Sequence, residues 1–150
     1  MLATSLLILA MTGCRTATPL SPVDLSEPGW KSFHGEAIWR AKLNAPEIAG
    51  ELLLATNASG RTFVQFTKTP FPFVIAQSTT NGWQIESPVE NRRYAGRGTP
   101  PARVIWFQLP RAHAGLPLPE RWAWKQSESD WRLENPASGE RLAGYFNEEQ

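Results

Sequence analysis

The chain has 150 residues, with 15 Lys and Arg against 14 Asp and Glu for a formal net charge of +1, a balance that argues against a dedicated nucleic-acid binder. Hydrophobic residues make up 41% and include seven Trp and seven Phe, enough apolar bulk to build a core and to exclude disorder over the whole chain. The one cysteine cannot close an intramolecular disulfide, and it lacks the second Cys or clustered His that a zinc site needs.

That cysteine, Cys14, stands behind an apolar run. Met1 to Gly13 carry no charged side chain, and Leu2, Leu6, Leu7, Ile8, Leu9 and Met11 form a segment of signal-peptide length, too short for the roughly 20 apolar residues of a bilayer span. Ala10, Thr12 and Gly13 then lead into Cys14, and the chain turns polar at Arg15, Thr16 and Thr18. A buried N-terminal helix with an incidental thiol is the alternative, but Pro19, Pro22 and Pro28 interrupt whatever would continue it. Met11-Thr12-Gly13-Cys14 resembles the lipobox of bacterial lipoproteins. It departs from that family at Met11, where Leu is commonest, and in having no Lys or Arg before the apolar run. The resemblance implies cleavage after Gly13, acylation of Cys14 and a membrane anchor. At about 0.8 kcal/mol per buried methylene, two or three acyl chains make that anchor permanent. Arg15 is not the Asp that retains enteric lipoproteins in the inner membrane, so the resemblance implies the outer membrane, facing the periplasm. Residues 1–13 then form a signal peptide, 14–29 a Pro-, Ser- and Thr-rich lipid anchor and tether, and 30–150 a single domain.

From Phe33 a period of two dominates. Phe33, Gly35, Ala37, Trp39, Ala41 and Leu43 share one face and His34, Glu36, Arg40 and Lys42 the other, an alternation broken only by Ile38. Further strands are expected at Gly50–Thr56, Thr62–Thr67, Phe73–Ser78 and Trp83–Ser87. Asn57-Ala58-Ser59-Gly60 and Thr80-Asn81-Gly82 form turns between them, and Thr69-Pro70-Phe71-Pro72 links the middle pair. Arg92, Arg93, Arg97, Arg103 and Arg111 then fall in a stretch without acids, read as a basic loop and helix. With Thr99 as N-cap, Pro100 at the first turn and Gly115 as stop, a short helix with an irregular last turn is expected from about Pro101 to Leu109, kinked or ended by Pro110. Strands resume at Arg121–Gln126, Trp131–Asn135 and Glu140–Phe146, the last two a hairpin across Pro136-Ala137-Ser138-Gly139.

The expected fold is mainly β (α+β): a curved antiparallel sheet, or open half-barrel, of about eight strands with one short helix after the fifth. This order, with the lipobox, resembles the lipoprotein-localisation fold of the LolA/LolB type, and the closing WRLENPASGERLAGYF resembles the ending of small bacterial lipoproteins of this general type. The resemblance implies an apolar cleft for an acyl chain or lipidated client.

No catalytic constellation accompanies it. Ser59 lacks the first glycine of a nucleophile elbow, His34 lies on a polar strand face and His113 near a helix end, and the acids have no metal-ligand spacing. An enzyme, a metal and a cofactor are therefore not expected. Two features are candidates for binding. Arg92, Arg93 and Arg97 form a basic patch suited to lipid phosphates or an acidic partner. Trp39, Trp83, Trp122 and Trp124 are candidates to line the cleft, the last two sharing one face of one strand. Two functions remain open: a lipoprotein that holds an acyl chain or lipidated client, and a non-catalytic scaffold or assembly lipoprotein with a closed core that meets an envelope protein partner.

Overall fold

A computed structural model describes residues 17–147; the expected signal peptide, residues 1–13, and Cys14 lie outside them. Nine strands form one antiparallel sheet: β1 Trp30–Arg40, β2 Glu47–Asn57, β3 Thr62–Lys68, β4 Phe71–Ser78, β5 Gly82–Ser87, β6 Arg92–Arg97, β7 Ala123–Gln126, β8 Trp131–Asn135 and β9 Glu140–Phe146. One helix, α1, spans Ile105–His113. The strand order is β6-β5-β4-β3-β2-β1-β9-β8-β7, so β1 sits inside the sheet with a five-strand meander on one side and the last three strands on the other. The sheet does not close.

Register fixes which residues share a face. On β1, Phe33, Gly35, Ala37 and Trp39 pair with Leu54, Leu52, Gly50 and Ile48 of β2, and Leu52 and Leu54 continue the inner face to Phe66 and Val64 of β3. On the other side Trp39 opposes Leu142 of β9, which opposes Leu133 of β8. Each pair is apolar, as the period of two requires when one face is buried. A register shift at Phe66/Thr67 turns both Phe73 and Val74 toward the core, which a regular strand could not do with adjacent residues.

Helix α1 touches β2, β3 and β4 from one wing and β8 from the other. Between β4 and β8 lie five strand spacings, about 24 Å in a flat sheet. A helix only about 10–12 Å across cannot bridge that distance. The sheet therefore curls around α1, whose residues from Ile105 to Pro110 are all buried, with Ala112.

Several expectations are corrected. The sheet has nine strands, and the helix follows the sixth. The extra strand is β6, the segment read as a basic loop; it lies at the sheet edge, where Arg92, Arg93, Tyr94 and Arg97 are exposed and no apolar alternation is required. β1 begins at Trp30 and ends at Arg40, leaving Leu43 exposed beyond it. The helix starts four residues later than expected, with Val104 and not Thr99 at the N-cap, and Pro110 lies inside it. Pro110 withdraws only the N–H that would bond the Trp106 carbonyl, and burial of the next turn holds the helix on to His113. Gly115 then stops it: at φ +72° it donates to Ala112, while Leu116 donates to Arg111, the Schellman pattern. Trp122 falls just before β7 instead of within a strand.

Candidate functional site

The four tryptophans proposed as cleft residues all pack on the inner side. Trp39 lies 5.4 Å from Trp106 and 5.9 Å from Phe73 between ring centroids, and its Nε1 donates to Glu140 Oε1 at 3.2 Å. Trp83 meets Phe107 edge-on at 5.7 Å and covers Gly96 of the neighbouring edge strand, where a Cβ would come within 2.5 Å of the indole. Trp122 is buried, its Nε1 donating to the Ala102 carbonyl at 2.7 Å. Trp124 stacks on Trp131 at 5.6 Å, and Trp131 stacks on Phe146 at 5.3 Å. Trp122 and Trp124 thus do not act as a pair: one anchors the segment before α1, the other extends an aromatic stack. Five clefts of 320 to 490 Å³ mark the surface, and none of these five is lined by any of the four tryptophans.

The titratable groups inside the fold are spoken for. Burial raises the Glu140 carboxyl to about 7, against which the Trp39 hydrogen bond works. His113 ends α1 wedged between Phe33 at 4.4 Å and Phe146 at 4.9 Å, and desolvation holds its pKa below the ordinary value, so it packs as a neutral ring and does not cap the helix with charge. His34 is exposed on the outer face of β1. Among the described residues no group of three or more His, Cys, Asp or Glu is placed to hold a metal ion.

The basic patch is divided by β6. Arg93 Nε lies 3.3 Å from Glu86 and Arg92 Nη1 3.7 Å from Glu90, while Arg97 is exposed at the strand's end. Arg111, on α1, donates to the Pro117 carbonyl. Two of the three candidate arginines therefore have acids of their own.

The outer face divides into a covered and a bare half. Over β3 to β5 the segment before β1 lies against the sheet: the Leu20 N–H donates to Gln84 Oε1 at 2.9 Å, and Leu20, Pro22 and Val23 line a cleft with Phe63, Ile75 and Gln77. Gln77 and Gln84 are buried by it despite facing outward. Over β9, β1 and β2 none of the described residues covers the sheet. There Ile38, flanked by Ala49 and Ala143, floors a trough of about 490 Å³. Its wall is acidic: Glu36 and Glu51 oppose each other across β1 and β2. Tyr145 stands beside Glu36 on β9, and its hydroxyl's bond to Glu36 raises the phenol pKa. Thr69 Oγ1 donates to Glu51 at 3.5 Å. Among the described residues no cation forms an ion pair with either carboxylate. Sequence reasoning did not single out this trough, although Ile38, the one break in the alternation of β1, was its signal.

No protein-family model and no curated protein sequence matches the chain.

Proposed function

We propose that this chain is an outer-membrane lipoprotein, anchored through acylated Cys14, whose curved sheet serves as a non-catalytic docking scaffold with a closed interior and presents its outer face to an envelope partner. The observation that carries this reading is the filling of the concave face. Trp106 and Phe107 of α1 occupy the space between the wings, against Trp39, Phe66 and Trp83. An acyl chain would have to displace a helix buried on nearly every side, and exposing such side chains costs about 1.5–3 kcal/mol each.

The test is a fluorescent fatty-acid titration beside thermal melting. The scaffold reading expects no saturable binding by the wild type and loss of folding in Trp124→Glu, from lost packing and an unpaired charge. Saturable binding by the wild type, abolished in a folded Trp124→Glu variant, supports instead the carrier reading, with Trp39, Trp83, Trp122 and Trp124 around the chain. The anchor is tested by Cys14→Ser, which should abolish lipid labelling and release the protein from membranes on a carbonate wash; an unchanged membrane fraction overturns it.

A further inference from the structure

The trough on the bare half of the outer face has a composition that packing does not explain. Ala is a poor strand former, yet Ala49 and Ala143 flank Ile38 on the solvent side, and Ile38 remains 44% exposed and Tyr145 41%. Like charges directly opposite each other destabilise a strand pair, yet Glu36 faces Glu51. One row along, the same three strands balance their charges: Arg141 of β9 pairs with Glu47 of β2, and Arg40 donates to the Gly139 carbonyl at 3.1 Å. Glu36 and Glu51, which have no ion pair among the described residues, thus lie where the apolar floor is beside them.

The geometry points to this trough as the docking site for a lysine- or arginine-bearing segment of a partner protein. The Ile38 row lies two residue steps along the strand from the Glu36 row, about 7 Å, which suits the aliphatic stem of a long basic side chain. The stem lies along Ile38 between Ala49 and Ala143 while the cation reaches Glu36 and Glu51, the division of apolar body and charged tip such side chains favour. Tyr145 closes one side with an aromatic ring, a surface that attracts cations. The charge of the wall selects a basic segment over an acidic one. This inference rests on the scaffold reading, but its test does not involve the interior, so either can fail alone.

The probe is a fluorescently labelled hexapeptide of alternating Lys and Val, titrated by anisotropy into the full chain in nonionic detergent, with the Glu/Val counterpart as control. Saturable binding of the Lys peptide alone is expected, weakened at least tenfold in the E36Q/E51Q double variant and also in Ala143→Leu or Ala49→Leu, each of which fills the floor without touching the charge. Melting curves identify which variants remain folded, and the two floor variants lie on different strands, so one can report if the other unfolds. Absence of saturable binding, equal affinity for the Glu peptide, or undiminished binding by E36Q/E51Q overturns the site. Loss with the charge variant but no loss with either folded floor variant overturns it too, reducing the effect to general electrostatic attraction.

Discussion

Two rows of residues cross β2, β1 and β9 one position apart, and in each the residues on β2 and β9 are small. The inner row is Gly50, Ala37 and Gly144; the outer row is Ala49, Ile38 and Ala143. In the inner row size is dictated by neighbours: a Cβ on Gly144 would fall 2.1 Å from the Glu36 carbonyl oxygen, and one on Gly50 would fall 2.5 Å from the Thr67 carbonyl oxygen. At both positions a neighbouring backbone lies too close for any Cβ, and only glycine admits that approach. The outer row has no such neighbour and opens into the trough. Small residues on β2 and β9 therefore have a packing cause on the inner face and none on the outer, and they become informative only once their surroundings are known.

The largest expected effect tests the inner side. Trp106→Ala removes the side chain that meets Trp39 and Phe66 and should cost about 3–5 kcal/mol in chemical denaturation, whereas Ile38→Ala on the outer row should change stability by no more than about 0.5 kcal/mol. Comparable losses in both would erase the distinction between the faces. Next, Gly144→Ala should cost about 1–3 kcal/mol by forcing the β1 and β9 backbones apart, while Ala143→Val, its outward neighbour, should be neutral or slightly stabilising because a β-branched residue suits an exposed strand position.

A pH profile sharpens the comparison at the rim of the core. The Glu140 carboxyl titrates at about 7 in the fold against 4.5 in its ordinary state because it is buried, so the folded chain binds the extra proton between those values. Its contribution is fully present below pH 4.5 and is lost as pH rises through 7. Half-buried as it is, the loss should amount to about 1 kcal/mol after solvent screening. His113 acts with the opposite sign: its pKa is held below 6.5 by burial, so stability falls as pH drops below that value. Glu140→Gln should therefore remove the alkaline decline and keep the acid one, read as melting temperature against pH. The smallest effect belongs to the outer row's wall. Glu51→Lys converts a like-charge pair with Glu36 into an opposite one and should stabilise the fold by about 0.2–1 kcal/mol, and a destabilised variant would mean that the two carboxylates do not repel as their register implies.

Much of the sheet was legible in the chain. The strands from β2 to β5 and β8 to β9 fall within a few residues of their expected places because each buries one face and so carries the period of two, and their Asn-Gly and Ser-Gly turns are chemically marked. β6 was not legible, since Arg92, Arg93, Tyr94 and Arg97 are all exposed on an edge and nothing in such a segment must alternate. Of the expected site residues, the tryptophans were found in the core by their bulk, but whether bulk lines a cleft or fills it depends on what sits opposite. For Trp39 and Trp83 that is Trp106 and Phe107, more than 20 residues distant in the chain.

By itself the sequence determined the class of the fold, the inner face of most strands and the stop at Gly115, because these depend on alternation and on backbone freedom, which are local. The tertiary structure alone decided that Pro110 stays inside the helix, that Leu20 covers Gln84, and that Ile38 lies in a trough beside two unpaired acids. Those outcomes depend on which strands become neighbours. β1 meets β9 across more than a hundred positions of chain, a pairing settled by the burial of both wings against α1 and not by any pattern within either strand.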